Sequence, residues 1–212
     1  MVGDGMKALH KDFWMEIRKS KARFISIFLI VALGVAFFSG IQASSPDMRY
    51  SGDAYYEAAK LMDLKIQGTL GLTQRDVKAV SDIDGVELAE GGYSTDVMSG
   101  EDDARKVLHL ESISSNFNLL TADEGRIPEK SGEIFLDKPF AKNRGYKIGD
   151  TISVSEDGDS ELLKKTTYTV VGIGSSPLYI SFNRGNTTLG SGEVSGFGYI
   201  LPEDFDQEAF TQ

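Results

Sequence analysis

FISIFLIVALGVAFFSGIQA, from Phe24 to Ala43, decides how the rest of the chain is read. These twenty residues carry no charge, and their only polar side chains are Ser26, Ser39 and Gln42. A helix of that length, rising 1.5 Å per residue, is about 30 Å long, the thickness of a bilayer's hydrocarbon. Its apolar residues lie all round the wheel, which excludes a surface helix with one wet face. A buried core helix fits less well, because uninterrupted apolar runs in such helices rarely exceed about a dozen residues. The sequence predicts a transmembrane helix over 24–43.

The flanks give that helix a direction. Arg18, Lys19, Lys21 and Arg23 lie just before it and only Arg49 lies shortly after. The positive-inside rule then places the N-terminus in the cytoplasm and everything after about residue 44 outside the cell membrane. Ile41-Gln42-Ala43 ahead of Ser44 has the form of a signal-peptide cleavage site. A signal peptide's apolar core runs about 7 to 15 residues, however, so a retained anchor is the better reading. Upstream, Leu9, Phe13 and Ile17 recur at spacing four with Trp14 beside them, while Lys11, Arg18 and Lys19 fall elsewhere on the wheel. Residues 1–23 thus read as a basic amphipathic helix on the inner membrane surface, with Phe13, Trp14, Ile17, Arg18, Lys19 and Arg23 at the interface and the lipid bilayer as its partner.

Charge divides along the same line. The first 23 residues hold six Lys or Arg against three acids, whereas residues 44–212 hold 16 basic and 29 acidic side chains, for a whole-chain net charge of -10. An acidic outer part argues against nucleic acid as a partner, since that binding depends on cations neutralising phosphates. The absence of Cys from the sequence excludes disulfides, thiolate metal sites and cysteine nucleophiles. With 41% hydrophobic and 25% charged residues in a chain of 212, the outer part is long enough to bury a core.

That outer part, residues 44–212, reads as α+β. Ala54 to Met62 has the composition of a short stalk helix. Leu64 to Thr69 alternates apolar and polar as a half-buried strand does. Thr73 with Asp76 opens a helix carrying Val77 and Val80, and Gly85 stops it. Val86 to Ala89, Tyr93 to Met98 and Lys106 to Ile113 supply strands, so that the first half is a mixed βαββ part. The second half is mostly β, with strands at Gly132 to Asp137, Thr151 to Ser155, Thr166 to Ile173 and Phe197 to Leu201. A short helix is expected over Pro139 to Asn143, a hairpin tip at Ser155 to Asp159, and a final helix from Pro202.

Motifs for chemistry are missing from the sequence. There is no GxxxxGK[ST] loop to hold nucleotide phosphates and no GxSxG nucleophile elbow. The clusters Gly172-Ile173-Gly174 and Gly190-Ser191-Gly192 read as turns. His109, on the opposite side of its strand from Leu108 and Leu110, reads as a surface histidine without a second outer histidine to share a metal. No catalytic, cofactor or metal residue is assigned. Ser176 to Ser195 is a long Gly-, Ser- and Asn-rich stretch, a length that in loops is functional or mobile more often than connecting. Within it Leu178, Tyr179, Phe182 and Arg184 combine apolar area with charge and are the candidate contacts for a substrate or partner.

Several phrases coincide with a known family. KSKARFISIFLIVALGVAFFSGI, DMRYSGDAYYEAAKLMDLKIQGTLGLTQRDVKAVSDIDGV, GRIPEKSGEIFLD, YKIGDTISV and TYTVVGIGSSPLYIS together resemble the N-terminal part of FtsX-like permeases of ABC transporters, with the outer stretch similar to their MacB-like periplasmic core domain. The resemblance covers residues 6–212. It implies a permease subunit that is no enzyme itself, pairs with a separate ABC ATPase subunit and a second permease copy, and relays membrane-helix motion to the outer domain. It also implies a domain incomplete at Gln212, before any later membrane helix. The alternative is a membrane-anchored binding or sensor module without transport activity. A third reading, a secreted hydrolase using His109, lacks the motifs it needs.

Overall fold

The apolar run does form a helix, and the helix outlasts the run. A computed structural model describes residues 3–68, 71–100, 105–156, 161–181 and 183–211. It divides into two units, residues 1–55 and 56–212. In the first, α1 (Gly3–Lys19) gives way at Ser20 to α2 (Lys21–Ala58). α2 is 38 residues long, has no buried residue, and is long and apolar enough to cross a membrane. The stalk predicted as a separate helix over 54–62 is instead the end of α2, which continues through Pro46. Proline removes one helix hydrogen bond and costs about 3 kcal/mol in a helix interior. Propagating an existing helix fixes one residue per bond, without a second nucleation, so the long preceding run carries α2 past that gap.

The second unit is built on one sheet. Its strands are β1 (Ser94–Ser99), β2 (Lys106–Ser112), β3 (Thr121–Gly125), β4 (Glu133–Asp137), β5 (Thr151–Ser155), β6 (Thr167–Ser175) and β7 (Val194–Ile200). They lie in the order β3-β6-β4-β7-β2-β1-β5, and β5 also pairs with β6. The ladders from β6 through β4, β7, β2, β1 and β5 therefore return to β6 and close a ring, with β3 attached outside it. β2 with β7 and β4 with β6 are parallel, and the other pairs are antiparallel.

Strand alternation fills the ring. Val97, Leu108, Leu110, Ile134, Leu136, Ile152, Val154, Tyr168, Val170 and Ile200 share one core. α4 (Lys138–Arg144) adds Phe140 and Ala141 to it, ended by Gly145 in the left-handed conformation at φ 79°. Gly196 and Gly198 of β7 leave the room that Phe140, Ile134 and Leu110 occupy: a Cβ on Gly196 would lie 2.5 Å from Phe140 Cβ. A register shift between Ile134 and Phe135 leaves Val171 of β6 as the extra residue of a bulge. Beyond it the faces exchange, so Ile173 enters the core while Gly172 and Gly174 turn outward under Phe135.

The α+β class stands, and several elements differ from the sequence reading. The strand expected at 64–69 does not form over residues 64–68, and none forms at 86–89, so the βαββ arrangement is not built. Leu64 and Ile66 are exposed, 83% and 57%, while Lys65 reaches the sheet. α3 (Gln74–Ser81) is present, its first turn held by Asp76, which accepts hydrogen bonds from the Thr73 N–H and hydroxyl at 2.7 Å. Gly172 and Gly174 are strand residues, not turn residues, because only glycine admits the carbonyls of Arg126 and Thr121 at that distance. β3 was not anticipated. The expected final helix is two short 3-10 turns, Pro202–Asp204 and Ala209–Thr211. The predicted hairpin tip falls mostly outside the described residues, although β5 and β6 pair antiparallel on either side of it.

Candidate functional site

Alternation that sends Leu108 and Leu110 inward sends His109 and Glu111 to the outer face of the sheet, and does the same for Asp96 on β1, Phe197 and Tyr199 on β7, and Phe135 and Asp137 on β4. Phe135, Phe197 and Tyr199 form a second apolar cluster there, with Tyr179 packed against it. The loop after β6 covers this face. Two of the candidate contact residues hold it down. Arg184 donates to both oxygens of buried Asp137, Nε at 3.0 Å and Nη2 at 3.1 Å, and its Nη1 donates to the carbonyls of Tyr179 and Ser181. The guanidinium lies over the Phe197 ring at 5.5 Å, and the Tyr179 ring stacks on the same phenyl with centroids 4.5 Å apart. Leu178 is half-buried, Ile180 beside it is 59% exposed, and Phe182 lies outside the described residues.

Next to that anchor runs a chain of polar groups that sequence reasoning missed. Ser176 Oγ and Tyr199 Oη are 2.8 Å apart, Tyr199 donates to Glu111 Oε2 at 2.8 Å, and Lys65 donates to Glu111 Oε1 at 2.9 Å. His109 meets Asp96 through Nδ1 at 2.5 Å and Glu111 through Nε2 at 3.5 Å. His109 is therefore no ordinary surface histidine; its side chain is 22% exposed and held between two carboxylates. The signal lay in the register that sets Asp96 across from His109, which a single sequence does not display. The hydroxyl of Ser176 is engaged by Tyr199, not by His109, so the geometry is no nucleophile–base pair.

Burial works against charge on Glu111, but hydrogen bonds from His109 and Lys65 outweigh it and hold the carboxyl down at about 2. For His109, burial opposes the imidazolium, and Glu111 and Asp96 together more than restore it, so its pKa lies above the ordinary 6.5. The protonated histidine's stability contribution is thus complete below about pH 6.5 and is lost as pH rises through the higher folded value. Glu111 contributes above its ordinary 4.5 and loses that contribution as pH falls through about 2. His109→Gln is expected to flatten the decline in melting temperature as pH is raised from about 6 to about 9, the range above histidine's ordinary value. An unchanged slope would show that the pairing with Asp96 and Glu111 does not contribute to stability.

A hollow of about 30 Å³ opens beside Glu111, Phe117 and Tyr199, room for about one water molecule and not for a substrate. Among the described residues no group of His, Asp and Glu side chains is arranged to hold a metal ion. At the other end of the chain, Phe13 and Trp14 of α1 are 59% and 64% exposed, Ile17 is half-buried, and Arg18, Lys19 and Arg23 are exposed.

Residues 24–209 match the family model described as MacB-like periplasmic core domain. Among solved structures the chain is similar to the extracellular domain of the noncanonic ABC-type transporter YknZ from Gram-positive bacteria, at 12% identity and a TM-score of 0.40, covering 63% of this chain and 64% of that one. It is also similar to the periplasmic region of MacB from Actinobacillus actinomycetemcomitans, at 15% identity and a TM-score of 0.35, covering 68% and 69%. The chain thus spans just under two thirds of the YknZ domain's length. No curated protein matches it.

Proposed function

Because the chain belongs to the MacB-like periplasmic core domain family of ABC transporter-type proteins, we propose that it is the N-terminal portion of an ABC transporter permease subunit. One observation carries the reading: the family match extends from Phe24 in the apolar helix to Ala209 in the sheet unit. α2 crosses the cell membrane with α1 on the cytoplasmic side, where Arg18, Lys19, Lys21 and Arg23 outnumber the lone Arg49 that follows the span. The unit that follows is extracytoplasmic. ATP is hydrolysed by a separate subunit, a second permease copy completes the transporter, and the movement of its membrane helices is relayed to the outer unit. The loop after β6 makes the outer contact. Leu178 and Ile180 present apolar area there, and Tyr179 and Arg184 fix it to the sheet.

A sequence without cysteine allows a clean test of topology. Lys19→Cys and Glu129→Cys, the latter at a side chain 71% exposed, are each introduced alone. A membrane-impermeant maleimide applied to intact cells is expected to label Glu129→Cys at once and Lys19→Cys only after permeabilisation. The opposite order would overturn the orientation. A soluble product beginning near Ser44 would overturn the anchor.

A further inference from the structure

The chain leaving α2 is gripped at two points, both within the unit of residues 56–212. At the first, the N–H groups of Leu119 and Asn118 donate to the carbonyls of Ala59 and Lys60 at 2.8 and 2.9 Å, and the Met62 N–H donates to Asn118 Oδ1 at 3.2 Å. Those carbonyls lie at the helix end, where no further turn would satisfy them. Lys60 and Asn118, at φ 48° and 51°, are the two non-glycine residues with left-handed backbone among the described residues, and one donates to the other. Such conformations persist where the surroundings over-determine them. At the second point Lys65 donates to Glu111 Oε1 at 2.9 Å. The small hollow is lined by both Glu111 and Asn118, so the two grips are neighbours.

We infer that Glu111 is a junction through which the segment leaving α2 controls how firmly the loop after β6 is seated. Its meaning as regulation of the outer contact rests on the function proposed above. The buried carboxylate divides its two oxygens between two elements. Oε1 takes Lys65 from the exit segment, and Oε2 takes the Tyr199 hydroxyl. The one proton of that hydroxyl is then spent, so Ser176, at the root of the loop, is the donor to Tyr199. Ser176 in turn holds the first turn of the loop: its carbonyl accepts from the Tyr179 N–H at 3.2 Å, and the Tyr179 hydroxyl faces Glu111 as well. His109, with Nε2 at 3.5 Å from Oε1, and Tyr199 belong to strands of the sheet. Lys65 and Ser176 are therefore the partners that can shift against a fixed face. Hydrogen bonds linked in series inside a protein polarise one another, so losing Lys65 alters the acceptor on which Tyr199 and the loop depend.

Amide hydrogen exchange in the full chain separates a junction from a bond that merely adds stability. Exchange at Leu110, in β2 between β1 and β7, requires the strands to part, whereas exchange at Tyr179 requires only the loop to lift. Lys65→Met is expected to speed exchange at Tyr179 about tenfold or more, the factor that a hydrogen bond to a charged group commands. Lys65→Arg is expected to keep it slow, and Lys78→Met, at an exposed lysine of α3, to leave it unchanged. Glu111→Gln leaves one acceptor oxygen where Lys65 and Tyr199 need one each, so in that background Lys65→Met is expected to add nothing at Tyr179. Acceleration at Leu110 with Tyr179 unchanged would assign Lys65 to stability alone and overturn the junction. An acceleration at Tyr179 that persists in the Glu111→Gln background would overturn it too. Should Glu111→Gln fail to fold, the contrast between Lys65→Met and Lys65→Arg at Tyr179 decides. Either failure leaves the permease reading standing, which the labelling of Lys19→Cys and Glu129→Cys tests separately.

Discussion

Arg184→Ala is expected to destabilise the outer unit by about 3 to 5 kcal/mol, because it strands a carboxylate that is 1% exposed. Asp137 has its two charge-assisted hydrogen bonds from Arg184 and no other hydrogen-bonding side chain is recorded for it among the described residues. The same guanidinium also closes the loop on itself through the Tyr179 and Ser181 carbonyls and covers Phe197. A loss of that size should lower the melting temperature of the unit by roughly 10 °C. Near-ultraviolet circular dichroism of the tyrosines is the suitable probe, since the single tryptophan sits in α1. Removing both partners at once, Asp137→Leu with Arg184→Met, should recover most of the loss, because no buried charge is then left unpaired. A cost below about 1 kcal/mol for Arg184→Ala would place the pair among surface ion pairs and remove the anchor assigned to this loop.

Gly172→Ala should be at least as damaging. A Cβ there would stand 2.1 Å from the Arg126 carbonyl oxygen and 2.7 Å from the Phe135 ring, and at Gly174 it would meet the Thr121 carbonyl at 2.0 Å. Backbone on one side and a fully buried phenyl on the other leave no flexible group to yield. The strand must shift, taking with it the β3–β6 ladder and the seat of Phe135. The expected cost is on the order of 4 kcal/mol or more, with amide protons of residues 121–125 exchanging far faster than in the unmodified chain. An alanine variant that melts normally and protects those amides would show that β3 does not need the close approach.

How far the sequence discloses this structure depends on where each residue's partners lie. The apolar helix is visible as an uninterrupted uncharged run, and the strands β2, β4, β5 and β6 are visible as local patterns because one face of each is buried in a single core. β3 is invisible for the opposite reason: Thr121, Ala122, Asp123, Glu124 and Gly125 are all exposed, and the strand exists because glycines about fifty residues later let it approach. The bulge at Val171 likewise turned what looks like a glycine turn into a strand. Residues 64–68 alternate as a strand would, yet Lys65 faces the sheet to meet Glu111, and no neighbour takes Leu64 or Ile66. At the site, Tyr179 and Arg184 were legible as a combination of aromatic area and charge in a long loop. Their partners Asp137 and Phe197 were not, nor was the pairing of His109 with Asp96, since those depend on strand register.

The ring of strands also constrains how the protein is made. β1 and β2 can pair as soon as both have emerged, and β5 and β6 likewise, but β7 lies between β2 and β4 and comes last in the chain. In the orientation proposed above, the unit crosses the membrane from its N-terminal end and cannot seal its interior until Ile200 has passed through. Until then Leu108, Leu110, Ile134 and Leu136 face water, and the parallel seam between β2 and β7 joins residues far apart in sequence, a slow kind of contact to form. On that proposed topology export and folding are coupled at one strand, and a stall anywhere before β7 leaves an open, adhesive half-barrel.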